Sequence, residues 1–409
     1  MNLRASLLIM ISFTLLRAGD VPVPTWLPRV PERKAPDTGA RGNWLTPEQG
    51  QQALDHVLAH VHNRTEWERE ATHLRQRIRE NMGLVPWPKR TPLNPIVGQR
   101  HYAEGYAIDN VAFEAIPGYY VTGNLYWPTV GEGPFPLVLS MHGHTKYEWG
   151  SRYDQGQYRA GMLARMGAIV LAIDMVGYGQ SMSHIDHATA HKNPYNATLH
   201  LWGAMRALDL LCSLNKADPS RIAATGSSGG GTQTFLLTAF DERVKVSVPT
   251  VMVSSYFFGG CPCESGAPIH HGADHFTTNA GIAALAAPRQ QLLISDGKDW
   301  TVHNPTSELP FLKTIYGWYD AAERIENAHF PTEGHDYGPS KRAAMYPFMA
   351  KHLGLDLSQA MNANGEIDES MIRLLPVEKL HIFSAANPAP PNQLPDIKSV
   401  AAALRALQP

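Results

Sequence analysis

The sequence predicts an α/β fold, in which a mostly parallel central sheet carries helices on both faces. Between residues 136 and 330, segments that are apolar throughout alternate with segments of helical periodicity. Strands that are covered on both sides are apolar on both sides, and parallel strands need crossover helices between them. The predicted strands of this region are PLVLSMHG, AIVLAIDM, RIAATGSS, VKVSVPTVMVS, RQQLLISDG and ERIENAHF.

A helical extension is predicted before this region. Thr46 is placed to cap a helix that begins at Pro47, and Gln49 completes a capping box. A second amphipathic helix, ending at Gly83, follows from the helical spacing of Trp67, Ala71, Leu74, Ile78 and Met82. We expect both helices to pack on the main domain as a cap or brace.

Changes of pattern divide the chain into four parts. A strand-rich pattern begins near Val97, with a hairpin predicted around Pro117 and Gly118, and an accessory tail ends in the short helix SVAAALRAL. The predicted parts are a signal peptide (1–18), a Pro-rich arm with the helical extension (19–95), the main domain (96–354) and a C-terminal extension (355–409).

The first 18 residues are typical of a secretory signal peptide. Arg4 supplies a basic N-terminal region, residues 5–16 form an apolar run, and Ala18 is a small residue directly before the predicted cleavage site. A stable membrane span needs about 20 apolar residues, so this run is too short for one. An uncleaved N-terminal anchor is the alternative. The sequence therefore predicts a secreted or periplasmic protein.

Composition limits the partners and the redox chemistry. The chain has a formal net charge of −2 and no basic run, which argues against binding to nucleic acid. Three cysteines are too few for a disulfide scaffold. Cys212 is expected to be a small core residue. Cys261 and Cys263 flank one proline and can close a tight disulfide in an oxidising compartment. The oligomeric state is left open.

The segment RIAATGSSGGG carries the candidate nucleophile. It contains the pattern G-x-S-x-G at Gly226, Ser228 and Gly230, between an apolar strand and a helical run. This context is the nucleophile elbow of the α/β-hydrolase fold, in which a sharp turn exposes the serine at the top of the sheet. We therefore predict Ser228 as the nucleophile. Ser227 is the alternative, but its frame places Thr225 where the motif has glycine.

The partners of a catalytic triad follow in the order that this fold uses, acid and then histidine. Asp299 is the predicted acid because it lies a few residues beyond the strand RQQLLISD, and Asp296, nearer the strand, is the alternative. His335 is the predicted base because it lies just before the last long helix. In these roles the histidine takes the proton of Ser228, and the aspartate stabilises the imidazolium.

Two backbone N–H groups are predicted to bind the oxyanion. One belongs to Gly229, directly after the nucleophile, and the other to His144 in the loop MHGHT. The alternative is that His144 only forms a pocket wall.

Other loops carry weaker signals. Trp300 and Tyr256 are candidate substrate-binding residues, with simple packing as the alternative. The loop DMVGYGQS lacks the lysine of a phosphate-binding loop and is predicted to be structural, at the border of the pocket. The histidine-rich segment PIHHGADHF matches no strong zinc pattern. No metal and no cofactor are predicted, since a serine mechanism needs neither.

In chain order, IPGYYVTGNLYWP, SMHGHTKYEWG, DMVGYGQS, GSSGGG, GGCPCESG, SDGKDWT and EGHDYG resemble the bacterial acetyl xylan esterase-like α/β-hydrolases. The resemblance extends from the N-terminal helices to His335. It implies deacetylation of acylated carbohydrate, with Ser228, Asp299 and His335 at the triad positions. Gly229 stands where the family often has glutamine and where the related glucuronoyl esterases have arginine. This departure concerns substrate specificity more than catalysis.

An esterase for another ester, such as a glucuronoyl or an aromatic one, is the alternative within ester hydrolysis. Two other functions compete with an ester hydrolase. A peptidase of the prolyl oligopeptidase type shares the catalytic domain, but the chain has no room for the large propeller of those enzymes. A non-catalytic binding protein on the same fold is opposed by the intact set of serine, acid and histidine.

Overall fold

The computed structural model describes residues 21–27, 45–265, 269–272 and 274–409. The predicted signal peptide therefore lies outside the described residues. The strands are β1 Ile96–Ala103, β2 Tyr106–Ile116, β3 Tyr119–Pro128, β4 Phe135–Met141, β5 Ile169–Ile173, β6 Ala217–Ser227, β7 Val246–Thr250, β8 Gln290–Asp296 and β9 Ile325–Phe330. The helices are α1 Pro47–His60, α2 Arg64–Asn81, α3 Asp154–Arg165, α4 His187–Lys192, α5 Asn196–Ser213, α6 Gly229–Phe240, α7 Pro262–Ser265, α8 Asn279–Ala284, α9 Glu308–Gly317, α10 Pro339–Leu353 and α11 Ile397–Ala406.

The strands form one sheet in the order β1-β2-β3-β5-β4-β6-β7-β8-β9. Neighbours from β1 to β5 in this order pair antiparallel, and all later neighbours pair parallel. The predicted mostly parallel sheet is therefore confirmed. Because parallel strands point the same way, the loops that follow β4, β6 and β8 meet at one edge of the sheet.

Local sequence signals account for several element ends. The capping box of α1 is confirmed, since the Thr46 side chain accepts the N–H of Gln49 and the Gln49 side chain accepts the N–H of Thr46. The predicted hairpin is also confirmed, with Gly118 at φ +78° between β2 and β3. The strand that differs most from its predicted segment is β7, which ends at Thr250 because Val251 adopts φ +48°, a backbone conformation that a strand cannot continue.

The N- and C-terminal extensions contribute buried residues to the hydrophobic clusters that cover the sheet. Trp67 and Ile78 of α2 and Val400 of α11 are buried in the same hydrophobic cluster as the residues of β4 and β6. The chain beyond α10 adds Ile372 and Leu380 to a second cluster on the other side of the sheet, with residues of α3 and α10. Within the described ranges, none of the helices has both the length and the apolar character needed to cross a bilayer.

His184 joins the C-terminal extension to β3. Its Nε2 accepts the N–H of Tyr120 at 3.1 Å, and its Nδ1 lies 2.9 Å from the carbonyl oxygen of Leu394, to which it donates. Only the neutral imidazole makes both bonds, because the charged ring has no acceptor. Burial lowers the pKa of His184 to about 4.

We expect His184 to make the fold sensitive to acid. Its folded pKa lies below the unfolded value of about 6.5, so its contribution to stability is complete above pH 6.5 and is lost as the pH falls towards 4. The variant His184→Gln keeps a donor and an acceptor but does not titrate. Between pH 6 and 4 the free energy of unfolding of this variant, measured in urea, should fall by about 1.4 kcal/mol less per pH unit than that of the wild type. Identical pH slopes for both proteins would contradict this account.

Candidate active site

Ser228 occupies a sharp turn between β6 and α6. Its backbone adopts φ +55° and ψ −122°, a strained conformation for a residue with a side chain. Two backbone hydrogen bonds hold the turn: the N–H of Ser228 donates to the carbonyl of Thr250 at 3.0 Å, and its own carbonyl accepts the N–H of Thr232 at 2.9 Å. The serine therefore lies where the G-x-S-x-G pattern predicts, in the geometry of a nucleophile elbow.

The two glycines of the pattern are needed because β4 passes very close to the turn. A Cβ atom on either Gly226 or Gly230 would lie 2.5 Å from the carbonyl oxygen of Met141, the last residue of β4. The loop after β4 is equally close, since a Cβ atom on Gly143 would lie 2.9 Å from the Cβ atom of Ser228. The sequence thus brings the loop after β4 directly against the serine.

Ser228, His144 and His335 line one cavity of about 250 Å³. Ser227 also lies on its wall, together with Tyr153 from the turn before α3. The predicted nucleophile, base and oxyanion loop are therefore brought together, although they lie far apart in the chain. Gly229 follows Ser228 as the first residue of α6.

The predicted acid and base are hydrogen-bonded to each other. His335 Nδ1 lies 2.6 Å from Oδ2 of Asp299, and the Asp299 side chain is 2% exposed while that of His335 is 31% exposed. The second carboxylate oxygen of Asp299 accepts the N–H and the hydroxyl of Thr301, both at 2.6 Å. These bonds fix the position of the carboxylate. Since Nδ1 of His335 is bound to Asp299, Nε2 is the ring nitrogen that does not contact the carboxylate.

Asp296, the alternative acid, has a different environment. Its Oδ2 lies 3.3 Å from Nζ of Lys341, and both side chains are fully buried. Burial, followed by the charge of Asp299, raises the pKa of Asp296, while Lys341 opposes the shift. Lys341 also donates to Asp336 Oδ1 at 2.8 Å, next to His335. Asp296 therefore belongs to a group of charges around Lys341 that joins the end of β8 and, through Asp336, the histidine loop to α10.

The loop after β4 is held by a residue that the sequence analysis did not single out. His142 Nε2 accepts the N–H of Met175 at 2.9 Å, and its Nδ1 donates to the carbonyl of Gly143 at 2.7 Å. Burial lowers the pKa of His142 to about 4, which keeps the ring neutral. The first histidine of HGH thus positions the backbone next to His144, and its place directly after a strand was the available signal.

The loop DMVGYGQS makes structural contacts, although its residues are not among those that line the cavity around Ser228. Asp174 forms a fully buried ion pair with Arg152 at 2.6 Å and accepts the hydroxyl of Thr122 at the same distance. Tyr178 of this loop packs edge-on against the rings of both His142 and His144, with ring centroids 5.2 and 5.9 Å apart. The loop therefore supports the wall of the site from behind.

The aromatic candidates lie beside the site. Trp300 packs on the imidazole of His335, with ring centroids 4.4 Å apart, and stacks on Phe257 at 3.8 Å. Tyr256 lies next to His303, with ring centroids 5.8 Å apart. Neither Trp300 nor Tyr256 is among the residues that line the cavity around Ser228. Their predicted contact with substrate stays a prediction.

The segment GGCPCESG reaches the same loop from the other side. Cys261 and Cys263 form a disulfide, and Glu264 Oε1 lies 3.0 Å from Nδ1 of His144. Although burial opposes the charge, this carboxylate raises the pKa of His144 above its usual value.

The histidine-rich segment PIHHGADHF has other partners, since the ring nitrogens of His270 lie close to Asn279 Oδ1 and the carbonyl of Ser265.

The sheet order, the strained serine after β6 and the acid–histidine pair after β8 and β9 define an α/β-hydrolase. A sequence model of the family "Acetyl xylan esterase (AXE1)" matches residues 90–257. The solved structure of "Methylesterase BT1017" is 36% identical and has a TM-score of 0.80, over 89% of this chain and 79% of that chain. The chain therefore belongs to the acetyl xylan esterase-like family of α/β-hydrolases.

Other relatives are more distant. YtaP of Bacillus subtilis (strain 168), whose name places it provisionally among the hydrolases, is 29% identical over 37% of this chain and 52% of its own length. The match thus spans about half of that curated relative. A glucuronoyl esterase from Solibacter usitatus shares 14% identity and a TM-score of 0.53, over 71% of this chain and 94% of its own. At that identity the likeness concerns the fold alone.

Proposed function

We propose that the protein is a serine hydrolase of carboxylic esters in carbohydrates, with Ser228 as nucleophile, His335 as general base and Asp299 as the acid that orients it. One observation carries the proposal: the strained Ser228 lines the same cavity as His335, whose Nδ1 is hydrogen-bonded to the buried carboxylate of Asp299. A serine hydroxyl needs a base to become nucleophilic, and a histidine fixed by a buried carboxylate supplies one.

The catalytic steps follow from these positions. Ser228 Oγ attacks the ester carbonyl while its proton passes to His335 Nε2, and the ester oxygen then leaves as an alcohol with that proton. Water attacks the acyl-serine in the second half, with His335 as the base again. Asp299 accepts the Nδ1–H of His335 at 2.6 Å, which holds the tautomer that this transfer needs.

The backbone N–H groups of Gly229 and His144 are the proposed donors to the oxyanion. Gly229 begins α6, so its N–H lies at the positive end of the helix dipole. His144 lies in the loop that contacts Ser228 through Gly143. Donors on two rigid elements keep their positions during the reaction, and this is the main source of transition-state stabilisation in acyl transfer.

The leading substrate is an acetyl ester of a polysaccharide, as the match to the acetyl xylan esterase family suggests. A second candidate is the methyl ester of a sugar acid, because the methylesterase BT1017 is similar over most of both chains. The two differ in which part enters the acyl-enzyme: a small acetyl group in one case, and the sugar acid itself in the other.

Product analysis separates the two candidates. The wild type is incubated with acetylated xylan and, in parallel, with methyl-esterified polygalacturonate, and acetate and methanol are quantified. Acetate alone supports deacetylation, and methanol alone supports the methyl ester. The Ser228→Ala variant gives the uncatalysed background. Release of neither product above that background would reject a carbohydrate esterase of either kind.

Three further proposals concern the whole chain. We propose that residues 1–18 direct export and are removed after Ala18, which N-terminal sequencing of the mature protein tests.

We propose that 96–354 is the catalytic domain, braced by 19–95 and 355–409; both flanks contribute buried residues to its core. We also propose that Trp300 and Tyr256 border the bound substrate; alanine at either position should then raise KM.

A further inference from the structure

Four side chains beside the proposed active site form a compact cluster of metal-ligand type. They are His144 in the loop after β4, His191 in α4, and Cys261 and Cys263 at α7. One ligand atom from each residue lies within 4.8 Å of all the others. The cluster contains none of Ser228, His335 and Asp299, but its His144 also supplies one of the proposed oxyanion donors through its backbone N–H.

Two distances in the cluster match those between the ligands of a zinc ion. His144 Nε2 lies 3.4 Å from the sulfur of Cys261 and 3.4 Å from that of Cys263. Zinc bonds of about 2.3 Å to sulfur and about 2.0 Å to nitrogen, at tetrahedral angles, put sulfur and nitrogen about 3.5 Å apart. The Nδ1 atom of His191 lies 3.9 Å from the Cys263 sulfur, so a small ring rotation completes the set.

The orientation of His144 is also that of a metal ligand. Its Nδ1 lies 3.0 Å from Oε1 of Glu264, a side chain that is 4% exposed. A proton on Nδ1 leaves the lone pair of Nε2 directed at the two sulfurs. Metal-bound histidines almost always donate their other N–H to such a carboxylate, which fixes the ring and increases its basicity.

We propose that the reduced forms of Cys261 and Cys263 bind one Zn²⁺ together with His144 and His191, as a closed four-ligand site. The disulfide and the zinc site exclude each other, because the metal needs two thiolates. A small-molecule thiol reduces the disulfide: two thiols give up their hydrogens and become a disulfide, and the protein gains two thiol groups. Zinc then replaces the two thiol protons, which leave to solvent.

The ion would tie the loop after β4 to α4 and α7. Two sulfur and two imidazole ligands in a tetrahedron suit zinc and leave no position open for a substrate. Its role is therefore to hold the His144 backbone next to Ser228. This effect on turnover rests on the proposed function, whereas zinc binding itself does not.

Metal stoichiometry tests the proposal without any activity assay. The full chain is reduced with a phosphine, mixed with Zn²⁺, passed through a desalting column and analysed for bound metal. We expect about one zinc per reduced chain and almost none in the disulfide form. Co²⁺ in place of zinc should give thiolate-to-metal absorption and the strong visible bands of a tetrahedral site. A reduced, folded protein that retains no zinc would overturn the proposal.

Matched variants locate the ion. His191→Ala should weaken zinc binding by more than the roughly 10- to 100-fold that loss of an outer partner costs. His187→Ala is the control, because this residue is stacked on His191 in the same helix but is outside the cluster. Cys212→Ser should likewise bind as the wild type does. Equal binding by His191→Ala and His187→Ala would place the metal elsewhere and reject the site.

A protection experiment does not depend on variants that fold. In the reduced wild type, zinc should slow the alkylation of Cys261 and Cys263 and leave that of Cys212 unchanged, as read by peptide mass spectrometry. Unchanged alkylation of the pair in saturating zinc would also overturn the proposal. Failure of the esterase assay with normal zinc binding would reject only the proposed function.

Discussion

Replacing Ser228 with alanine is expected to lower kcat by about 10⁶-fold, because the remaining groups can bind the ester but have no nucleophile to acylate. The alanine should fold as the wild type does, since the turn is held by backbone hydrogen bonds to Thr250 and Thr232 and not by the hydroxyl. The measurement is hydrolysis of a chromogenic acetyl ester, with the melting temperature as a check of folding.

Ser227→Ala is the matched control for this prediction. Ser227 lies on the same cavity, but it is the last residue of β6, in register with Thr250, and its backbone is not the strained one. We expect this variant to keep most of the wild-type activity. An organophosphonate should label the wild type and Ser227→Ala at Ser228, located by peptide mapping. Loss of labelling in Ser227→Ala, with label retained in Ser228→Ala, would assign the nucleophile to Ser227.

The fold could be predicted because its signals are local. The strand β6, the glycines around Ser228 and the helix α6 are contiguous in the sequence, and each segment limits the conformation of the next. The capping box at Thr46 and the glycine turn at Gly118 are local in the same way. The end of β7 was missed because no residue type in VPTVMVS indicates a positive φ at Val251, whose N–H still donates to the carbonyl of Ile294 in β8 at 2.7 Å.

The members of the site could be predicted only where their order along the chain indicates their role. Ser228, Asp299 and His335 follow the chain order of a known fold, so motif and position were sufficient to predict them as a set. The contact of Glu264 with His144 joins two loops that are far apart in sequence, and nothing in either segment indicates it. The same holds for His191, which lies in a short helix and reaches the two cysteines only in the folded chain.

The choice between Asp299 and Asp296 leads to the second large effect. Asp299→Asn should lower kcat by about 10⁴-fold with a small change in KM, because the amide cannot stabilise the imidazolium and favours the wrong tautomer of His335. The Asp299 carboxylate is the one that meets His335, at 2.6 Å. Stability should change little, since the amide keeps one oxygen that can accept the hydrogen bonds of Thr301.

Asp296→Asn should show the opposite balance of effects. It leaves the buried ammonium of Lys341 without one of its carboxylates, and the free energy of unfolding should fall by about 3 kcal/mol. That value is at the low end for a broken buried pair, because Lys341 keeps Asp336 at 2.8 Å. Turnover by the folded fraction should fall far less than in Asp299→Asn. If Asp296→Asn instead lost 10⁴-fold in kcat while Asp299→Asn stayed active, the acid of the triad would be Asp296, and His335 would have to turn away from Asp299 during the reaction.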